Sequence, residues 1–338
     1  MSAPGGRSWA SPDRGESGSA RTQPGAAFRR DSPPLGRVRT IAARDGVRLS
    51  VRDYGSRTPD HTVVLLHGLC LDQSSWDIQI GQLICKWGND IRIISYDHRG
   101  HGDSANAPMH TYRIEQLADD LATLLIALRV KGPLTLVGHS MGGMTALAYL
   151  ARSASHRPVE PKSLVLVATA AGKLANRGLG RLLATPAAKI LHGLVQHTPH
   201  SMTDQIVRAL ARPVWPALTR YAGYAAGSGA LAAVSAASIN ATPLTTKVGF
   251  LPSLRNYDQY HTLGSISAAT TVIAGGADKL TPPAHAHDLA AGIPRAMLVH
   301  EPGAGHMLLH DAPDLVTDTI SRAITRSGDS VTPLHIPA

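Results

Sequence analysis

The 338-residue chain predicts an α/β fold: a mostly parallel sheet flanked by helices on both faces. Three observations carry that expectation. Short apolar runs recur along the chain, helical patterns separate most of them, and the spacing between runs suits right-handed crossovers. Apolar residues make up 43% and charged residues 17% of the chain, which is ample material for one large core.

The elements follow in order. Residues 1–36 are rich in Gly, Ser, Pro and Arg and nearly lack large apolar side chains, so they are expected to form a disordered basic leader. From Val38 the texture changes. VRTIAA, the turn Asp45-Gly46 and VRLSVRDY read as a β-hairpin with alternating faces. TVVLLH (Thr62 to His67) is a continuous apolar run, the pattern of a strand buried on both sides. Similar runs at IRIIS, LTLVG, SLVLVA, TTVIAG and AMLVHE bring the expected sheet to eight strands. Helical patterns lie at Trp76 to Trp87, Ile114 to Val130, Met141 to Ala154 and Pro283 to Ala291. Between Ala168 and Thr270 about a hundred residues pass without a strand pattern, with helix-like segments around Leu182 to Val195, Met202 to Leu210 and Ala222 to Ala237. This interval, residues 170–264, is expected to form a helical cap. It divides the core into residues 37–169 and 265–326, with a tail at 327–338.

The net charge of +9 does not point to nucleic acid. Seven arginines against three acids in residues 1–39 supply four of those charges, and the rest are spread thinly with no basic block. Cys70 and Cys85 are too few for a disulfide scaffold and are not spaced as metal ligands, so a reduced, cytoplasmic setting is expected. No apolar h-region follows the leading arginines. The uncharged run from Tyr221 to Thr246 is long but Ala/Gly/Ser/Thr-rich, and suits a buried or lid helix better than a membrane span. No cofactor or metal is called for, and oligomeric state is left open.

The chemistry concentrates on Gly138-His139-Ser140-Met141-Gly142. A G-x-S-x-G pattern is weak by itself in a chain with 32 glycines. Here it directly follows an apolar strand and opens a helix, the setting of a nucleophile elbow, with Ser140 as the candidate nucleophile. A serine hydroxyl needs a base. Of 17 histidines, His306 in EPGAGHM lies just beyond the last expected strand, in a Gly/Pro loop at the carboxyl edge where active sites of such sheets form. His261, His285, His287 and His310 are read as surface or structural. The orienting carboxylate should also follow a strand, and Asp278 in Gly275-Gly276-Ala277-Asp278 does so, whereas Asp204, Asp258 and Asp288 fall in the cap or a helix. Two amides should receive the oxyanion: Met141, just after the nucleophile, and Leu69, in the loop after TVVLLH. Cys70 beside it is read as a small buried residue.

Together HG at His67-Gly68, YDHRGHGDS at Tyr96 to Ser104, GHSMGG at Gly138 to Gly143, GGADKLTP at Gly275 to Pro282 and GAGH at Gly303 to His306 resemble the α/β-hydrolase superfamily over about Val38 to Arg326. The resemblance implies a Ser140–Asp278–His306 triad, and it implies that Asp97, Arg99, Gly100, Gly102 and Ser104 form a structural loop near the site. Ala269 stands where many relatives carry proline. Relatives that open epoxides or remove halides use an aspartate nucleophile, so Ser140 points instead to attack on an acyl carbonyl. The expected activity is that of a serine carboxylic ester hydrolase, lipase-like, acting on a small-molecule ester with an apolar acyl or alcohol group. The apolar cap, with Trp215, Tyr221 and Tyr224, suits such a group. Alternatives with the same triad are a C–C bond hydrolase, a perhydrolase or an acyltransferase. A small-molecule binding or receptor protein with vestigial hydrolysis is the alternative from another class.

Overall fold

The computed structural model describes residues 36–178 and 237–328, with isolated positions between 181 and 195. The expected leader, most of the expected cap with Trp215, Tyr221, Tyr224 and Asp204, and residues 329–338 lie outside the described residues. Eight strands form one sheet in the order β1-β2-β4-β3-β5-β6-β7-β8. They are β1 (Arg37–Ala42), β2 (Arg48–Gly55), β3 (His61–Leu66), β4 (Ile91–Tyr96), β5 (Leu134–His139), β6 (Ser163–Val167), β7 (Ala269–Gly275) and β8 (Met297–Glu301). The β1–β2 and β2–β4 pairs are antiparallel and every other pair is parallel. Each apolar run read as a strand is one, shifted by no more than a residue at its ends. The hairpin turns where Gly46 takes φ 83° and donates to the Ala43 carbonyl at 2.9 Å.

Alternation along the strands divides the core between two faces. On one face Val64, Leu66, Leu136, Leu164 and Val272 pack with Leu117, Leu121 and Leu125 of α2 (Ile114–Ala127) and Met144 and Leu147 of α3 (Met141–Leu150). On the other face Val63, Leu65, Val137, Val165 and Ile273 meet Ile80 and Leu83 of α1 (Asp77–Trp87), together with a C-terminal helix that the sequence reading did not pick out. Each fully buried side chain of this size contributes about 1.5–3 kcal/mol. The two-sided packing explains why β3 to β6 read as unbroken apolar runs.

Four short helices, α4 (Leu244–Gly249), α5 (Leu251–Asn256), α6 (Tyr260–Leu263) and α7 (Pro283–Gly292), precede and follow β7. After β8 come α8 (Leu308–Asp311) and the C-terminal α9 (Pro313–Gly328). Helix α9 buries Val316, Ile320, Ala323 and Ile324, an i, i+4, i+7, i+8 stripe that was present in the sequence. Two helices end earlier than their apolar patterns. Helix α2 stops at Ala127, and Arg129 beyond it has a left-handed φ of 51°; α3 stops at Leu150, before a separate turn at Ala154–His156. No described helix is long and apolar enough to cross a membrane.

Candidate active site

The carboxyl ends of the parallel strands β3, β5, β7 and β8 lie along one edge of the sheet, with β6 between β5 and β7, and each of the four carries one predicted site residue into the following loop. Ser140 sits between β5 and α3 with φ 52° and ψ −117°, a backbone conformation that a side-chain-bearing residue adopts only at a cost of ~1–3 kcal/mol. Its neighbours impose that geometry. The Ser140 N–H donates to the Val167 carbonyl at 2.9 Å, which ties the elbow to β6. The Ser140 carbonyl accepts from the Thr169 hydroxyl at 2.6 Å and from the Gly143 N–H at 3.0 Å. A side chain at Gly138 would collide with the backbone of Gly142 and Gly143, and one at Gly142 would collide with the carbonyls of Leu66 and His67. The crossing of β5 into α3 is too close for any other residue at these two positions.

The structure brings the three predicted side chains together. His306 Nε2 lies 3.0 Å from Ser140 Oγ, and His306 Nδ1 lies 2.8 Å from Asp278 Oδ2. The His306 and Asp278 side chains are 1% and 0% exposed, whereas Ser140 is half-buried and reachable. Because the carboxylate can only accept, Nδ1 carries the proton and Nε2 offers its lone pair toward the serine hydroxyl. Asp278 is itself held. Its Oδ1 accepts from the Leu280 and Thr281 N–H groups at 2.8 and 2.9 Å, and its Oδ2 accepts from the Thr281 hydroxyl at 2.7 Å. Burial alone would raise the Asp278 carboxyl, but the charge and hydrogen bonds of His306, together with Thr281, hold it below the usual carboxylate range. Asp278 therefore stays ionised.

The β7 and β8 loops are stitched to each other. The Gly276 N–H donates to the Glu301 carbonyl at 2.8 Å and the Ala277 N–H to the Ala304 carbonyl at 2.9 Å, which sets Asp278 against His306. His139, inside the elbow, adds a second tie to the carbonyl of His306 at 2.9 Å. The sequence reading singled out none of Thr169, Thr281 and His139. Thr281 had a local signal, because an Asp followed three residues later by Thr forms a self-capping turn. The other two meet their partners across the fold.

Leu69 is half-buried in the loop after β3, and Met141 is the first residue of α3. Neither amide has a hydrogen-bond partner among the described residues. Cys70, beside Leu69, is buried, and burial pushes its thiol up to about 12, so it is an inert packing residue. Cys85 is exposed and unpaired with it.

Asp97, Arg99, Gly100 and Ser104 are buried and, with the exposed Gly102, form a scaffold loop. Asp97 accepts from the Gln73 and Asp103 N–H groups at 2.7 and 2.9 Å, and Arg99 pairs with Asp120 and Asp45, each at 2.7 Å. Gly100 and Gly102 have φ of 73° and 50°. The Ser104 hydroxyl donates to the Asp97 carbonyl at 2.6 Å and accepts from the Ser50 N–H at 2.8 Å. Of the histidines set aside, His261 and His287 are exposed and His310 is half-buried. His285 is fully buried, and neither ring nitrogen has a partner among the described residues.

A mostly parallel sheet covered on both faces, with polar groups gathered at its strand ends, is the architecture of an α/β enzyme. A family model described as alpha/beta hydrolase fold matches residues 61–313, and the chain belongs to this family. The mouse sn-1-specific diacylglycerol lipase ABHD11 is 28% identical over 261 residues, which cover 77% of this chain and 79% of that one. A non-heme chloroperoxidase, CPO-A1, from Kitasatospora aureofaciens is 36% identical over 114 residues, covering 34% of this chain and 38% of that protein. The solved structure of a thermophilic esterase from Thermogutta terrifontis has a TM-score of 0.66 and 25% identity, covering 87% of this chain and all of that one.

Proposed function

We propose that the chain is a serine hydrolase that cleaves carboxylic esters through an acyl-enzyme on Ser140. The observation that carries the reading is the Ser140 Oγ to His306 Nε2 distance of 3.0 Å, continued from His306 Nδ1 to Asp278 at 2.8 Å. His306 takes the proton of Ser140 as Oγ attacks the ester carbonyl. Asp278 stabilises the imidazolium that forms. The Leu69 and Met141 N–H groups receive the oxyanion, each such donor being worth about 2.7–4 kcal/mol in the transition state. His306 then returns the proton to the leaving alcohol, and a water activated by the same histidine releases the acid. Residues 170–264 act as the cap that selects the substrate. The likeness to an esterase and to a lipase supports ester substrates with apolar groups.

The likeness to a chloroperoxidase favours a second reading of the same site, in which hydrogen peroxide replaces water as acyl acceptor and a peracid leaves. One set of measurements tests both. A p-nitrophenyl acyl ester series should give a burst of p-nitrophenol, a fluorophosphonate should label Ser140, and Ser140→Ala should abolish both. Adding peroxide to the ester assay reports any peracid. Absence of both burst and label in the wild type would overturn the proposal.

A further inference from the structure

The loop after β3 turns sharply over Gly68–Leu71, closed by the Leu71 N–H on the Gly68 carbonyl at 3.2 Å. Cys70 occupies the left-handed position of the turn at φ 64°, which disfavours a residue with a Cβ. Groups outside the turn hold it there. His101 Nε2 accepts from the Cys70 N–H at 3.1 Å, and its Nδ1 donates to the Arg99 carbonyl at 3.0 Å. His67 Nδ1 donates to the Gly68 carbonyl at 2.8 Å, and its Nε2 accepts from the His98 N–H at 2.9 Å. Each ring uses one donor and one acceptor, a pattern that only the neutral Nδ1–H tautomer satisfies.

These bonds act on Leu69. A trans peptide is planar, so the Leu69 N–H points opposite to the Gly68 carbonyl. Two donors, His67 Nδ1 and the Leu71 N–H, fix that carbonyl, and His101 fixes the next peptide plane through the Cys70 N–H. The Leu69 amide is thus clamped on both sides. The loop also runs against the nucleophile, since a Cβ on Gly68 would lie 3.0 Å from His139 Nδ1 and 3.2 Å from Ser140 Cβ.

We propose that His101 is a positioning residue: by accepting from the Cys70 N–H it locks the turn in which the Leu69 N–H faces the oxyanion formed at Ser140. This rests on the ester-hydrolase reading above. His101 is fully buried, with the rings of His67 and Phe250 at 5.2 and 5.9 Å. Burial pushes it down to about 3, so it keeps its accepting lone pair at neutral pH. A protonated ring would turn two donors toward the loop and lose the Cys70 bond.

The test replaces the acceptor. His101→Leu and His101→Phe remove it, and His101→Gln retains a carbonyl that can take its place. In the first two, kcat on a p-nitrophenyl ester should fall about 10–100-fold with KM within about 3-fold of wild type, less than outright loss of an oxyanion donor because the amide remains. Affinity for an alkyl trifluoromethyl ketone, whose adduct on Ser140 carries the oxyanion, should fall in parallel, and His101→Gln should recover most of both losses. A folded His101→Leu protein that keeps kcat and ketone affinity near wild type would overturn the proposal. Should neither apolar variant fold, the wild type decides by nuclear magnetic resonance. The Leu69 amide proton should move downfield on ketone binding, and His101 should be the Nδ1–H tautomer; an unmoved amide or the other tautomer would overturn it. Failure of the ester-hydrolase reading looks different, because then the wild type itself shows neither turnover nor labelling.

Discussion

His139 Nε2 lies 2.9 Å from the backbone carbonyl of His306, so the residue beside the candidate nucleophile holds the residue beside it that would take its proton. A carbonyl only accepts, and His139 therefore carries its proton on Nε2. The two rings are 5.1 Å apart, and burial, with the nearby charge of His306, pushes the His139 ring down to about 3. The tether is thus a neutral donor at neutral pH.

Replacing His139 with leucine removes the hydrogen bond it donates to the His306 carbonyl, a loss of about 0.5–1.5 kcal/mol. Equilibrium denaturation should report that loss, and ester turnover should fall with little change in KM. A His139→Leu variant of unchanged stability and turnover would show that the tether contributes nothing.

Asp278→Asn keeps the shape of the carboxylate but can offer an amide donor to His306 Nδ1, which favours the wrong tautomer. Turnover should fall by about ten-thousand-fold, as expected for loss of the orienting charge in such a triad. Steady-state ester kinetics measure it. A drop of under about 10-fold would place the orienting role elsewhere.

Acid should unfold this protein early. Burial pushes His61 and His67 down to about 4 and His101 and His139 down to about 3, against an unfolded value of about 6.5. The folded state thus binds fewer protons than the unfolded one below that value. The contribution is fully present above pH ~6.5 and is lost as pH falls through the window toward 4. Asp97, raised by burial to about 6, and Asp77 and Asp120, also raised by burial, act in the opposite sense, but burial lowers His98, His285 and His310 as well, so the histidines outnumber them. The free energy of unfolding, measured by chemical denaturation, should drop between pH 7.5 and 5.5 by several kcal/mol in order of magnitude. A flat profile over that interval would contradict the buried neutral histidines.

Arg99 is 0% exposed and its partner Asp120 is 1% exposed, so removing the arginine alone leaves a buried carboxylate uncompensated. Arg99→Met should destabilise the fold by about 3–5 kcal/mol, and adding Asp120→Leu should recover much of it. Thermal or chemical unfolding of the single and double variants checks both signs.

The strands were legible because burial on both faces writes an unbroken apolar run into the sequence, as at Val63 to Leu66. Helix α9 was legible too, through Val316, Ile320 and Ile324, although its pattern was passed over. The positions of Ser140, Asp278 and His306 at strand ends could be read because the sheet's topology gathers those ends at one edge. The buried state of His285 and the tether of His139 could not, since neither depends on neighbours in sequence.

By itself the sequence determined which segments are strands, which glycines the elbow requires, and which residues stand at the strand ends. Tertiary structure alone decided the 3.0 Å approach of His306 to Ser140, the stitching of the β7 and β8 loops, and the two histidines that clamp Leu69. The physical reason is range. Periodicity and turn chemistry act over a few residues, whereas hydrogen bonds such as that between Cys70 and His101 join groups 31 residues apart, and their geometry exists only once the sheet has formed.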